Sequence, residues 1–215
     1  MSAIFSKKFD TTLRLVAGAV VLSLGAVGVV VGYLAHPNQM DTGYTPIQPV
    51  AYSHKLHAGN LGMDCTYCHN TVTQAGYAAV PATEVCMNCH VRVKEKSPKL
   101  QVVGDSYASG EPIPWVKVHR LPDYVYFNHQ AHVTSGVSCV SCHGRVDQMI
   151  EVKQVNNLSM AWCLTCHRNP AANVRPVEYV TKLDWKPEGD PAALGAQLIK
   201  AKGINPPVNC SGCHR

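Results

Sequence analysis

Ten cysteines constrain this chain more than anything else in it, because every one falls in the same five-residue pattern, Cys-x-x-Cys-His. The pairs are Cys65/Cys68, Cys86/Cys89, Cys139/Cys142, Cys163/Cys166 and Cys210/Cys213, each followed at once by a histidine: His69, His90, His143, His167 and His214. Cysteines three residues apart share one turn of backbone, so both reach the same edge of a porphyrin and form thioethers with its vinyl groups. The histidine that follows lies under the iron as its proximal ligand. Zinc ribbons and redox dithiols also use Cys-x-x-Cys, but neither needs a histidine at the same offset five times. The pattern predicts five covalently bound haem c groups. It leaves no cysteine for a disulfide, and thioether attachment places the domain on the extracytoplasmic side.

Two stretches repeat around these motifs. Tyr52-Ser-His-Lys-Leu-His57 precedes Cys65, and Phe127-Asn-His-Gln-Ala-His132 precedes Cys139. In each, an aromatic residue leads His-x-x-His, which sets two imidazoles on one face of a helical turn. Two such rings do not easily bind one iron; they suit two neighbouring irons, so His54, His57, His129 and His132 are predicted distal ligands to packed haems. A second motif follows the first after 21 residues in one copy (Cys65 to Cys86) and after 24 in the other (Cys139 to Cys163), which reads as an internal duplication. The fifth iron has two candidate distal ligands, His119 and Met160. A thioether ligand raises the potential relative to two histidines and would make that haem a candidate electron exit.

In chain order, residues 1–14 carry Lys7, Lys8 and Arg14. Residues 15–35 run without a charge and are long enough for a transmembrane helix, longer than the apolar part of a cleaved leader. The positive residues ahead of the span keep the N-terminus cytoplasmic, so a single-pass anchor in the bacterial inner membrane is expected, with the rest of the chain periplasmic. Residues 36–49, with three prolines, read as a linker. Residues 50–126 hold the first two haem sites and an inter-half segment whose Lys94, Lys96 and Lys99 form a solvated basic face. Residues 127–215 hold three sites and one well-signalled helix, with Asp190 as N-cap, Pro191 at its first position and Gly203 as its stop. Roughly 180 residues serving five haems cannot build an ordinary apolar core, so the haems must be the core. The expected fold is a multihaem cytochrome c: mainly short α-helices and loops around a haem core, very little β, plus one N-terminal transmembrane helix. The formal charge of +5 does not argue for nucleic acid, since the propionates of five haems reverse its sign.

The second half resembles the small trihaem cytochromes of the c7 type. By that pattern His54 serves the first haem and His57 the second, and His129 and His132 repeat this for the third and fourth. Met160 stands near where those proteins carry a histidine. Over nearly its whole length the chain also resembles the pentahaem cytochrome c subunit of bacterial alternative complex III, a quinol:electron-acceptor oxidoreductase. The anchor, the five motifs, Ser159-Met-Ala-Trp-Cys163 and above all Trp115-Val-Lys-Val-His-Arg-Leu-Pro-Asp-Tyr-Val-Tyr-Phe-Asn-His-Gln-Ala-His132 carry that resemblance. It implies an electron-transfer subunit with no catalysis of its own. The implied partners are an iron–sulfur subunit of molybdopterin-enzyme ancestry, multi-span quinol-binding membrane subunits, and a monohaem cytochrome c or other periplasmic carrier. The alternative is a membrane-anchored multihaem quinol dehydrogenase of the NapC/NrfH type feeding a periplasmic reductase. Pentahaem nitrite reductases are disfavoured, because no Cys-x-x-Cys-Lys is present.

Overall fold

The computed structural model describes residues 6–40 and 42–214, and divides the chain into two units with a boundary between residues 42 and 43. The first unit is dominated by helix α1, Lys7–Leu34. It begins ahead of the apolar run because Ser6 caps it, its side chain accepting from the Phe9 N–H, and because Asp10 and Arg14 pair one turn apart at 2.9 Å. The charged first two turns are therefore helical rather than a separate tail. At 28 residues the helix is about 42 Å long by its 1.5 Å rise, and its apolar window has a mean hydropathy of 2.4. It is long and apolar enough to cross a bilayer, and none of its residues is buried. A leader sequence would meet the same description. One further turn, α2 (Pro37–Met40), follows.

The second unit is built from short helices: α3 (Cys65–Cys68), α4 (Thr83–His90), α5 (Gln101–Ser109), α6 (His129–Ser135), α7 (Cys139–His143), α8 (Met160–Arg168) and α9 (Pro191–Lys202). Among the described residues there is no strand; two isolated bridges, Val125 with His214 and Val137 with Val174, are the only β pairing. Helix α9 starts and stops as its sequence dictates. Both carboxylate oxygens of Asp190 accept backbone N–H groups, and Gly203 closes the helix at φ 63°. The linker does not run free to its end. Gly43 and Tyr44 exchange backbone hydrogen bonds with Gln154, and the Gln48 amide pairs with both backbone groups of Val116.

Among the described residues only five apolar side chains are buried, Val50, Val103, Val133, Val174 and Val180. So few cannot hold a unit of this size together by themselves, which agrees with haem, not side chains, forming the core.

The duplicated halves exchange support. The first His-x-x-His opens at His54, the N-cap of a π-helical turn, Lys55–Asn60, that carries His57, and the Lys55 N–H donates to the Met149 carbonyl, six residues past His143. The second begins α6, and the His129 N–H donates to the Gly76 carbonyl, seven residues past His69. Each half thus seats its histidine turn on the loop behind the other half's first haem motif. The approach is close: a Cβ on Gly59 would collide with the Asp147 carbonyl.

Candidate haem-binding row

Four of the five cysteine pairs sit on one helical turn, as their spacing requires. Helix α3 carries Cys65 and Cys68 of site 1, α4 carries Cys86 and Cys89 of site 2, α7 carries Cys139 and Cys142 of site 3, and α8 carries Cys163 and Cys166 of site 4. Site 5 corrects the expectation of a shared turn. Cys210 opens a 3-10 turn, Cys210–Gly212, and Cys213 lies one residue past its end. The Cys213 N–H still donates to the Cys210 carbonyl at 3.2 Å, so the tighter winding keeps both cysteines local to each other. Burial is uneven as well. Cys89 and Cys210 are exposed, whereas the other eight, Cys213 among them, are half-buried.

Asp64 caps α3, accepting from the Thr66 N–H at 3.0 Å, and also accepts from the Thr181 hydroxyl at 2.8 Å. Burial alone would raise this carboxyl, but Thr66, Thr181 and Lys182 outweigh it and hold the group below its ordinary value.

The histidines arrange themselves in pairs. His57 faces His90 with ring centroids 6.2 Å apart, His129 faces His143 at 6.4 Å, and His132 faces His167 at 6.0 Å. With a metal–imidazole bond of about 2.0 Å, two rings on opposite sides of one iron have centroids about 6 Å apart. His54 lies edge-on to Tyr52, and its Nδ1 is buried without a hydrogen-bond partner. Among the described residues no three His, Cys, Asp or Glu side chains converge as a metal cage. Three of the pairs have the spacing that two imidazole ligands of one haem iron would take.

Seven of these rings are oriented from behind by a backbone carbonyl at Nδ1. The proximal ring of site 1 uses Ala79 (3.0 Å), of site 2 Val93 (2.9 Å), of site 4 Pro207 (2.7 Å) and of site 5 Tyr124 (3.2 Å). The distal candidates His57, His129 and His132 use Ser53 (2.9 Å), Gly76 (3.1 Å) and Asn128 (2.7 Å). A carbonyl only accepts, so Nδ1 keeps its proton and Nε2 keeps a free lone pair for iron. Burial lowers the basicity of His54 to about 4 and of His143 to about 3, and also depresses His119, His129 and His132. All five are therefore neutral at ordinary pH, the form a metal takes. The residues fit haem c at these sites.

Two features escaped the sequence reading. The aromatic residue ahead of each His-x-x-His clamps both its histidines. Tyr52 meets His54 edge-on at 4.8 Å and stacks on His57 at 4.5 Å; Phe127 meets His129 edge-on at 4.7 Å and stacks on His132 at 4.5 Å. The signal was present, an aromatic two residues before the first histidine in both copies, but only the fold shows what it touches. The second is the place of His119, a candidate ligand to the fifth iron, which lies instead against His143 of site 3, Nε2 to Nδ1 at 3.4 Å. His214 has Tyr124 as its ring neighbour instead, at 5.6 Å, and Met160 stands 66% exposed at the first position of α8.

Local contacts link the five sites in a series. The Asn88 amide on site 2 donates to the Tyr67 hydroxyl on site 1 at 3.1 Å. Site 1 meets site 3 at residues 180 and 181, where the Cys65 thiol donates to the Thr181 carbonyl at 3.8 Å and the Cys139 N–H donates to the Val180 carbonyl at 3.4 Å. Asn156, on the approach to site 4, donates to the Ser141 and Cys142 carbonyls of site 3. Pro207, on the approach to site 5, holds His167 of site 4. The order is 2–1–3–4–5, which differs from the order along the chain because the first half enters the file backwards. The two exposed cysteines, Cys89 and Cys210, belong to sites 2 and 5, the two ends of this series of contacts.

Residues 50–105 and 125–215 match the family of cytochrome c7 and related cytochrome c. The chain belongs to that family. It is a multihaem cytochrome c with five haem c sites. A relative of this cytochrome is the multihaem cytochrome c subunit of menaquinone reductase from Nitratidesulfovibrio vulgaris, 30% identical over 159 residues that make up 73% of this chain and 68% of the relative. His119 falls in the stretch between the two matched segments.

Proposed function

We propose that this cytochrome is the electron-transfer subunit of a membrane quinone oxidoreductase, relaying electrons between quinone-handling partners and a periplasmic carrier. The observation that carries this reading is the pairing of histidines across sites 2, 3 and 4 at the spacing of one iron. Irons with two protein ligands offer no open position for a substrate, and contiguous sites suit transfer from one to the next. Each haem c supplies a one-electron iron couple. The chain's own contribution is to hold the imidazoles neutral, fix their tautomers with carbonyls and exclude water from the file.

The ligand assignment that fits best pairs His54 with His69, His57 with His90, His129 with His143 and His132 with His167. Met160 then completes site 5, because the Nε2 of His119 is engaged by His143. A thioether would give site 5 the highest potential in the file, other surroundings being equal. In Met160→Leu the site 5 haem should lose its distal ligand, producing a high-spin ferric signal and a shifted midpoint. Unchanged spectra and potentials would reject the assignment.

At finer grain, the resemblance around residues 115–132 supports alternative complex III. Quinol would be oxidised in multi-span membrane subunits beside an iron–sulfur subunit, with electrons leaving to a monohaem cytochrome c. Helix α1 would be the retained anchor, N-terminus cytoplasmic. The menaquinone reductase relative supports a second reading, in which electrons run toward menaquinone. Gentle detergent extraction, mass spectrometry of the co-migrating chains, and assays in both directions separate these. A large assembly with an iron–sulfur subunit that reduces a ferric carrier with menaquinol supports the first reading. One that reduces menaquinone from a ferrous carrier supports the second. A small particle oxidising quinol by itself would point to the NapC/NrfH type and sink both.

A further inference from the structure

Sites 2 and 4 occupy equivalent places in the duplicated halves, yet they are finished differently. His167 at site 4 is held by Pro207, forty residues on, in the segment that leads to site 5. His90 at site 2 is held by Val93, three residues on, in its own loop. The place that in one half is continued by the next site is, in the other half, closed by a local turn. The file ends there.

That turn is unusual. Arg92, Lys94, Lys96 and Lys99 are all exposed, against one acid, Glu95, and among the described residues none of the four forms an ion pair. Lys94 holds φ at 56°, a left-handed conformation that a side-chain-bearing residue adopts at a cost. Between these charges Val91 and Val93 are 49% and 54% exposed. A small apolar centre rimmed by one sign of charge has the make-up of a transient docking face, where charge steers encounter and little area is buried. Val93, whose carbonyl orients the proximal histidine, belongs to this centre, so the face lies one residue from an iron-bearing group.

We propose that the loop of residues 91–99 is the docking face for an acidic one-electron carrier protein, and that site 2 is the end of the file at which the carrier exchanges its electron. The inference rests on the relay reading and adds where the soluble partner binds and what chemistry selects it. One electron crosses per encounter. A reduced carrier is oxidised by one electron as the site 2 iron goes from ferric to ferrous, or the reverse, and no bond or proton need move.

The test uses the full detergent-extracted holoprotein, native and as the triple variant K94E/K96E/K99E, with reduced flavodoxin as the acidic probe in stopped flow. The variant should lose about tenfold or more in second-order rate at low ionic strength, with the two proteins converging as salt screens the contact. Replacement of the same lysines by arginine should restore the native rate. An unchanged flavodoxin rate would overturn the proposal. So would a loss that persists at high salt together with a shifted haem potential, since the lysines would then be neutralising propionates. Photoreduction by the uncharged 5-deazariboflavin radical reports redistribution along the file without docking. Absence of redistribution in the native protein would count against the relay and not against the docking face.

Discussion

An imidazole binds iron only when it is neutral and only through a nitrogen whose lone pair is free. Most histidines here meet the second condition through a backbone carbonyl at Nδ1. The Cys-x-x-Cys-His motifs were legible because their chemistry is local: five adjacent residues carry all of it. The carbonyls were not, since every residue has one and only the fold decides which faces a ring. Nor was the difference between Cys89, exposed, and Cys86, half-buried, because the motif is the same wherever a site falls in the file. Tyr52 and Phe127 lie between these cases, visible as a repeated residue type but silent about their partners. Ring contacts of this kind are worth about 0.5–1.5 kcal/mol each. In Phe127→Leu, bulk is kept and both ring contacts are lost. Histidines 129 and 132 should loosen together, so thermal stability should fall by about 1–3 kcal/mol, and low-spin ferric signals from sites 3 and 4 should broaden while those of sites 1 and 2 stay as they were. Electron paramagnetic resonance of the variant checks this.

Elements in this protein are short, and what fixes them is contact over long sequence separation. Helix α9 could be read from Asp190, Pro191 and Gly203 because capping is a local matter. The exchange between halves could not, because nothing in Lys55 announces Met149, nor in His129 Gly76. The unexpected π-helical form of Lys55–Asn60 belongs to this seat, where Gly59 lies against the Asp147 carbonyl. Gly59→Ala should displace that turn and cost about 1–3 kcal/mol, read as a lowered melting temperature and a changed site 2 spectrum, since His57 rides on the same turn. Asp64 gives a pH signature. Its folded pKa is depressed, so its stabilisation is present above the unfolded value of about 4 and is lost as pH falls through the lower folded value. Asp64→Asn keeps a cap and removes the charge. The stability gap between native and variant should be level at neutral pH and close below about pH 4; a gap that persists in acid would contradict it.

At the scale of the molecule, two facts belong together: five buried apolar side chains among the described residues, and five haem sites. The haem core was legible from the ratio of motifs to residues. The order 2–1–3–4–5 was not, because it depends on how the halves interlock. Protein made without haem attachment should lack fixed tertiary structure, seen as a flat near-ultraviolet circular dichroism spectrum and rapid proteolysis. A protease-resistant apoprotein would mean that the polypeptide has a core of its own. The central claim is that the file carries electrons and catalyses nothing at iron. Its most direct test is the ferric spin state of the intact holoprotein by electron paramagnetic resonance, paired with carbon monoxide binding to the reduced form. Five low-spin haems per chain and no carbon monoxide adduct are predicted. A high-spin haem that takes up carbon monoxide in the native protein would show an open iron, and with it a site for chemistry that a relay does not have.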